Sequence, residues 1–316
     1  MTATDTEASN CARRLLLFHA HPDDESISTG VTMARYAAEG VHVTLVTCTL
    51  GEEGKIRLPR LAGLSAEHAD QLGGYRLAEL GQAVTHLGVF DWRLLGGVGE
   101  FRDSGMTGSP ANARPRAFWG ASESSTRFAA AVAAAAGVIR EVRPQVVITY
   151  DPRGGYGHPD HIMTHRVAIA AVDAAAQGEH GGDGRWRVGK VYWTAMPRSV
   201  LRTSLEALKR SGSSFPVAER VEDLRGGVDD TEVTSLVVAP AFYEAKRAAL
   251  AAHATQLVLD GRFYALAGEN RGREVLTTEY FQLARGELGP ARDSAGLEVD
   301  LFSGITTVEV EWRHAS

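Results

Sequence analysis

The chain has 316 residues, of which 44% are hydrophobic and 23% are charged, which is an ordinary composition for a globular protein. Its formal net charge of −6 argues against nucleic acid or an anionic membrane surface as the main partner. No stretch approaches the roughly 18 uninterrupted apolar residues of a membrane span, and the polar N-terminal residues do not resemble a signal peptide. Cys11 and Cys48 are not expected to form a disulfide, which fits a cytoplasmic protein.

The first half of the chain alternates predicted strands and helices. An apolar run that starts at Leu15 predicts a buried strand, and it ends in a turn with two histidines, a proline and three consecutive acidic residues. Gly40 ends the helix that follows, because glycine is a common helix stop. We predict helices over about residues 26 to 39 and 66 to 87, and strands over 41 to 50 and 89 to 95.

The middle of the chain repeats this pattern after a long loop. Residues 96 to 118 are rich in Gly, Ser, Pro and Arg, and loops of this length in a compact domain are usually binding loops or lids. A glycine-rich turn is predicted at 154 to 159. We predict helices over about 122 to 142, 160 to 176 and 199 to 210, and strands over 145 to 150 and 188 to 195.

Strands that alternate with helices predict an α/β fold with a Rossmann-like, mostly parallel sheet and helices on both faces. The pattern changes near residue 211, where strands at 232 to 238 and 306 to 312 flank a helix at about 242 to 257 and a turn-rich segment. We therefore predict a flexible tail (1–12), a Rossmann-like catalytic domain (13–210) and a C-terminal subdomain that covers the site (211–316).

Two polar turns follow the first and fourth predicted strands. His21 and Asp24 are three residues apart in the first turn, and His158 and His161 have the same spacing in the second. In the usual doubly wound order these two strands are neighbours, and ligands bind between their carboxyl ends. We expect the two turns to meet although they are more than a hundred residues apart.

A divalent metal is the ligand that this residue set favours. His21, Asp24 and one histidine of the second turn would supply three ligands and leave one position for water, as in catalytic zinc sites. The same ligands also suit Fe²⁺ or Co²⁺. The acidic residues alone fit a helix N-terminus as well, but that reading leaves the neighbouring histidine and proline unexplained.

Two motifs identify a resemblance at this point. Ala20-His-Pro-Asp-Asp-Glu25 and Gly155-Tyr-Gly-His-Pro-Asp-His161, in this order, resemble the LmbE-like or PIG-L-like family of zinc-dependent N-acetylglucosamine deacetylases. The chain is most similar to the members that deacetylate N-acetylglucosaminyl-inositol in mycothiol biosynthesis, with further support at 25 to 30, 47 to 54 and 101 to 106. The related mycothiol S-conjugate amidases tend to carry a Lys and a Pro where this chain has Ser28 and Gly157.

The resemblance implies a Zn²⁺ ion bound by three side chains. They are His21, Asp24 and His161. Zinc lowers the pKa of a bound water towards about 7 and polarises an amide carbonyl. The resemblance also implies that Asp23, next to a ligand, is the general base.

The remaining roles that the resemblance implies concern the reaction and the sugar. His158 would stabilise the tetrahedral intermediate or protonate the leaving amine, and Asp160 would orient that imidazole. Tyr156 would donate to the oxyanion. Arg76 and Asp103 would bind sugar hydroxyls of a small N-acetylglucosaminide substrate.

Rival functions are less well supported. A dinucleotide-binding protein would carry G-x-G-x-x-G, and a serine hydrolase G-x-S-x-G, and the chain lacks both at the expected turns. A non-catalytic metal-binding or sugar-binding protein would not need Asp23, and the amidase remains a competitor.

The oligomeric state is not readable from the sequence. We expect His19 to be a strand residue, Glu25 to support the ligands or cap a helix, and the following residues to be solvated: Glu52, Glu53, His68, His86 and His253.

Overall fold

The computed structural model describes residues 13–122, 125–177, 184–268 and 271–305. Its centre is a seven-stranded sheet in the order β3-β2-β1-β4-β5-β10-β6, with a separate three-stranded sheet in the order β7-β8-β9. The strands are β1 (Arg14–His19), β2 (His42–Thr47), β3 (Asp91–Leu94), β4 (Val146–Thr149), β5 (Lys190–Ala195), β6 (Ser235–Val238), β7 (Leu257–Asp260), β8 (Phe263–Leu266), β9 (Gly272–Glu274) and β10 (Thr278–Arg285).

Helices cover both faces of the large sheet. They are α1 (Asp24–Ser28), α2 (Gly30–Ala38), α3 (Leu72–His86), α4 (Ser125–Val142), α5 (Gly154–Gly157), α6 (Pro159–Gln177), α7 (Arg198–Ser211) and α8 (Tyr243–Ala252). The side chains of β1 alternate between two cores, as period-2 strand geometry requires. Leu15 and Leu17 pack in a core with α2, α3 and α8, whereas Leu16 and Phe18 pack in a core with α4 and α6.

The first five strands are parallel, and β1 lies between β2 and β4. This confirms the predicted mostly parallel α/β sheet and the predicted neighbourhood of the first and fourth strands. β10 runs antiparallel to both β5 and β6, so the last third of the chain extends the same sheet. Among the described residues, none of the helices is long and apolar enough to cross a membrane.

The predicted helix over residues 26 to 39 is wrong in its continuity, because it breaks at Thr29 into α1 and α2. The carboxylate of Glu279 on β10 accepts the backbone N–H groups of Val31 at 3.1 Å and Thr32 at 2.8 Å. In one unbroken helix these two groups would donate to the preceding turn instead. Lys246 on α8 pairs with Glu279 at 2.7 Å and balances its buried charge.

The prediction for the C-terminal third is wrong in part. The helix predicted over 242 to 257 ends at Ala252, and Leu257 already begins β7. The segment predicted as turns contains β8, β9 and β10. The predicted strand at 306 to 312, the N-terminal tail and Cys11 lie outside the described residues, and Cys48 is a free, buried thiol. The division into domains stays a prediction.

A closed polar cluster, which we call the Glu298 cluster, lies near the amino end of β5. The fully buried carboxylate of Glu298 accepts hydrogen bonds from Lys190 Nζ at 2.5 Å, from Tyr192 OH, from Ser235 Oγ at 3.2 Å and from the Gly289 N–H at 2.7 Å. Both carboxylate oxygens are therefore used. The cluster attaches the segment after β10 to the sheet.

Candidate metal centre and active site

The turns that follow β1 and β4 meet at the carboxyl ends of these strands. The imidazole rings of His21 and His158 lie 4.6 Å apart, and those of His21 and His161 lie 5.3 Å apart. All three histidines are buried. Parallel pairing of β1 and β4 brings the two turns together, because both strands end at the same edge of the sheet.

Asp24 joins the two turns through one oxygen. Its Oδ2 lies 3.2 Å from His21 Nδ1 and 3.3 Å from His161 Nε2, and it accepts the backbone N–H of His21 at 2.9 Å. Asp24 begins α1, so the start of this short helix aims the carboxylate back at the turn. Three side chains that the sequence singled out thus face one point, and their role as metal ligands stays a prediction.

Two overlapping sets of side chains bring possible ligand atoms within 4.8 Å of one another. One set is His21, His158 and His161, and the other is His21, Asp103, His158 and Asp160. Asp24 is in neither set, although its Oδ2 is within 3.3 Å of nitrogens of both His21 and His161. The described residues therefore contain a buried cluster of histidines and carboxylates that is able to hold a metal ion.

His161 provides a direct test of whether a metal fits. Its Nε2 is buried and makes no hydrogen bond, although Asp24 Oδ2 lies nearby. A buried nitrogen without a hydrogen bond is costly, by about 1–3 kcal/mol, and coordination to a metal would remove that cost. Two imidazole nitrogens and one carboxylate oxygen form a donor set that zinc accepts. The residues at this site fit the ion that the motifs imply.

Electrostatics keep Asp24 and Asp103 ionised, whereas burial raises the pKa of Asp160. Burial alone would raise the pKa of Asp24, but His161 and His21 hold that pKa well below its usual range. Asp103 behaves in the same way, because His21 and then His158 outweigh burial and lower its pKa. Asp103 Oδ1 lies 3.6 Å from His21 Nε2. Asp103, Asp160 and Asp24 outweigh burial and raise the pKa of His21 well above its usual range, so a cation bound here would take the place of the proton on that imidazole.

Asp23 has an unusual backbone conformation beside Asp24. Its φ is 112°, in the region that glycine favours and other residues rarely adopt. Its Oδ2 accepts from Arg76 Nη2 at 3.0 Å. Burial raises the pKa of Asp23 to about 7, against the opposing charge of Arg76. Strained residues of this kind persist only where their surroundings hold them, and they cluster at functional sites.

Arg76 is fixed by the backbone as well as by Asp23. It is buried on α3, and its guanidinium donates to the carbonyl of Gly51 at 2.7 Å and to the carbonyl of Pro22. Gly51 has a φ of +67°, and a Cβ atom there would overlap with Arg76 Nη1. Glycine at this position therefore makes room for the guanidinium.

His158 and Asp160 interact in a way that differs from the predicted one. The Asp160 carboxylate lies 3.3 Å from His21 Nε2 and accepts the Ser104 N–H at 2.8 Å, so it contacts His21 and not His158. Asp160 contacts His158 through its backbone N–H, which donates to Nδ1 at 3.1 Å. Burial, with His21 and His161 adding to it, lowers the pKa of His158 to about 2. The imidazole is therefore neutral, and its proton is on Nε2.

Tyr156 and the cavity complete the site. Tyr156 is 38% exposed in the glycine-rich α5, and its ring lies 4.9 Å from that of His161. A cavity of about 700 Å³ opens above the cluster. Eight of the nine predicted site residues line it, and Asp160 lies beneath. Gln256, Tyr264 and Tyr280 line its other side, so the last third of the chain forms part of the wall.

The sequence analysis missed a buried pair behind Asp23. The prediction that His253 is a surface residue is wrong, because it is fully buried and its Nε2 lies 2.7 Å from Glu25 Oε1. The other oxygen of Glu25 accepts the backbone N–H of Asp23 at 2.8 Å. No sequence pattern indicates this pair, since 228 residues separate its members.

The predictions for the other solvated residues and for His19 have mixed outcomes. Glu52 is buried and accepts the Asp103 N–H at 2.9 Å, so its assignment to a solvated loop is wrong. Glu53 is half-buried and binds Arg102. His68 and His86 are exposed, as predicted. His19 is a buried strand residue, as predicted, and bonds to the hydroxyls of Tyr150 and Thr29.

Comparison with known proteins gives a family match and full-length relatives. Residues 16–172 match the family model described as PIG-L, GlcNAc-PI de-N-acetylase. A protein of Geodermatophilus obscurus is 57% identical over 298 residues, which cover 93% of this chain and 98% of that protein. It is named 1D-myo-inositol 2-acetamido-2-deoxy-alpha-D-glucopyranoside deacetylase.

Two solved structures share the fold at low sequence identity. The N,N'-diacetylchitobiose deacetylase of Pyrococcus horikoshii is 18% identical, with a TM-score of 0.50 over 78% of this chain and 71% of that one. The 4-carboxy-2-hydroxymuconate hydratase GalB of Pseudomonas putida is also 18% identical, with a TM-score of 0.52 over 87% and 98%. A deacetylase and a hydratase thus share this architecture, so the fold alone does not set the reaction.

Proposed function

This chain belongs to the PIG-L family of de-N-acetylases, and we propose that it hydrolyses the acetamide of 1D-myo-inositol 2-acetamido-2-deoxy-α-D-glucopyranoside. The products are acetate and the free amine, glucosaminyl-inositol, and the reaction is the deacetylation step of mycothiol biosynthesis. The observation that carries this function is the 57% identity over 93% of the chain to a deacetylase named for this substrate.

We propose Zn²⁺ as the cofactor, held by His21 Nδ1, Asp24 Oδ2 and His161 Nε2. The convergence of both histidines on one oxygen of Asp24 and the unbonded Nε2 of His161 support this set. Zinc bound there would supply a Lewis acid that polarises the amide carbonyl and makes a water molecule more acidic.

Asp23 is the general base in this proposal. Arg76 binds its Oδ2, so the carboxylate is fixed in the cavity with Oδ1 left to accept the proton of the attacking water. Asp23 Oδ2 contacts Arg76, whereas Asp24 Oδ2 contacts His21 and His161, although the two residues are adjacent. One acidic residue can thus bind the metal while its neighbour moves the proton.

His158 stabilises the tetrahedral intermediate in this proposal. Its neutral imidazole carries hydrogen on Nε2, because Nδ1 accepts the Asp160 N–H. The Nε2–H group can donate to the negative charge on the carbonyl oxygen, and Asp23 can pass the proton that it took from water to the leaving nitrogen. The carboxylate of Asp160 orients His21 from beneath.

Tyr156, Arg76 and Asp103 are assigned to the substrate. Burial raises the pKa of Tyr156, so its phenol stays protonated and can donate to the oxyanion. Its position between two glycines with positive φ, Gly155 and Gly157, lets the ring reach into the cavity. In this proposal Arg76 and Asp103, which line the same cavity, bind sugar hydroxyls.

Release of a primary amine from the proposed substrate, followed with fluorescamine, tests this function. We expect turnover with bound metal and none after chelation. Turnover of a mycothiol S-conjugate should be measured in parallel, and a higher kcat/KM on that substrate would reassign the chain to the amidase. Tight binding of the sugar without amine release would indicate a non-catalytic binding protein.

A further inference from the structure

We propose that Glu25 and His253 are positioning residues that hold Asp23 in its catalytic conformation. This inference rests on the proposed role of Asp23 as the general base. It assigns a function to His253, which lies in the last third of the chain, outside the span of the family model.

The contacts run in one line from α8 to Asp23. His253 follows the last turn of α8 and donates from Nε2 to Glu25 Oε1 at 2.7 Å. Glu25 Oε2 then accepts the backbone N–H of Asp23 at 2.8 Å. All atoms of this line are buried, since His253 and Glu25 have no exposed surface and Asp23 is 7% exposed. Water therefore cannot replace either hydrogen bond easily.

These two hydrogen bonds fix the backbone N–H of Asp23. At a φ of 112° the backbone of Asp23 is strained, and it would relax if its N–H lost the acceptor. Relaxation would rotate the peptide between Pro22 and Asp23 and move the carboxylate away from Arg76. The other oxygen of Glu25, Oε1, accepts from His253 Nε2 and from the Ser26 hydroxyl at 2.5 Å. Without His253 its remaining partner is the next residue of the same short helix, so the carboxylate loses its tie to α8 and can rotate about its side-chain torsions.

Helix α3 anchors both ends of the line. Arg76 on α3 holds the side chain of Asp23, and Glu79, three residues later, holds the loop that follows His253. Glu79 accepts the Thr255 N–H at 2.8 Å and the Thr255 hydroxyl at 2.7 Å. Contacts that start from α3 thus hold Asp23 in two ways: Arg76 binds its side chain, and Glu79 supports the segment whose His253 acts on its backbone through Glu25.

Paired substitutions at position 253 test the inference. His253→Leu and His253→Asn remove the donor or shorten its reach, and we expect kcat to fall about 10- to 100-fold while KM stays within about twofold. His253→Gln places an amide N–H near the position of Nε2, and we expect it to restore kcat to within about threefold of wild type. Metal content should equal that of wild type in all three variants.

The Asn and Gln variants keep the experiment decisive if His253→Leu fails to fold. Both carry the same amide and differ by one methylene, so a purely structural role predicts similar kcat values for the two. Ile139→Ala is the control for lost stability, because Ile139 is buried on α4, in the core on the other face of the sheet from α8. It should lower Tm without changing kcat.

A double variant shows whether His253 acts through Asp23. In an Asp23→Ala background, His253→Asn should cause no further loss of the residual turnover. A kcat within twofold of wild type for His253→Asn, or the same fold-loss with and without Asp23, would overturn the inference. Failure of the proposed function would look different, because the wild-type protein itself would then release no amine from the substrate.

Discussion

Two buried polar clusters of this protein differ in how completely they are satisfied. In the Glu298 cluster, both carboxylate oxygens accept hydrogen bonds from four groups, and the charge of Lys190 balances that of Glu298. At the candidate metal centre, His161 Nε2 and Asp160 Oδ1 are buried and make no hydrogen bond, and four carboxylates crowd together. A fully satisfied network stabilises a fold, whereas an incompletely satisfied one is suited to bind a ligand.

Metal removal is the strongest test of this contrast. Chelation should abolish turnover and added Zn²⁺ should restore it, because the centre alone needs an ion to complete its contacts. Zinc at 100 times its Kd should also raise the free energy of unfolding by about 2.7 kcal/mol. The fluorescamine assay measures turnover, and calorimetry of wild type and His161→Ala measures the stabilisation, since Tm should depend on zinc only in wild type. An equal zinc response in the variant would exclude His161 as a ligand.

Substitution of the base comes next. Asp23→Ala should reduce kcat by about 10²- to 10⁴-fold, because the attacking water loses its proton acceptor. Metal content should stay close to wild type, since the ligand Asp24 is untouched, whereas Tm should fall, because Arg76 stays buried without its counter-charge. Fluorescamine detection of amine and metal analysis on the same sample measure both effects. Deacetylation at near wild-type rate would show that another group is the base.

The Glu298 cluster should respond in the opposite way. Glu298→Leu leaves Lys190 buried without its counter-charge, and we expect the free energy of unfolding to fall by about 3–5 kcal/mol. Denaturant titration measures this loss, and kcat per folded molecule should not change. Combining Glu298→Leu with Lys190→Met should recover much of the stability. A lower kcat in the folded single variant would show that the two clusters are coupled.

Gly51→Ala should have the smallest effect. The added methyl group meets Arg76 Nη1, and the positive φ of residue 51 adds strain of order 1–3 kcal/mol. Displacement of Arg76 should lower kcat about tenfold, because the Asp23 carboxylate loses its fixed orientation. Gly40→Ala is the control, since Gly40 also has a positive φ but has no atom near the added Cβ. Equal kcat values for the two variants would contradict this role of Arg76.

Local sequence pattern was sufficient to predict the parallel half of the sheet and the meeting of its two turns. Apolar runs that end in His, Pro and Asp determine where β1 and β4 stop, and parallel pairing of these strands brings the turns together. The same pattern predicts that His21, Asp24 and one histidine of the second turn converge. The family motifs, not composition or spacing, single out His161 and supply the chemical roles.

Contacts between distant parts of the chain account for what the sequence did not predict. The break at Thr29 depends on Glu279, which is 247 residues from Thr32, and the burial of His253 depends on Glu25. Glu52 is buried because the loop around Asp103 folds over it. These partners are distant in sequence, so no periodic pattern near the affected residue indicates them. Reasoning from local sequence therefore predicted that Glu52 and His253 are exposed to solvent.

The antiparallel strand β10 has a consequence for biosynthesis. Residues 16–172 carry all the proposed zinc ligands, yet α2 takes its cap from Glu279 on β10, and the partner of Glu25 is His253. While the ribosome is still making the last third of the polypeptide, the nascent enzyme holds its ligands without the groups that orient them. We therefore expect competence for catalysis to arise only after the chain has been synthesised beyond residue 285.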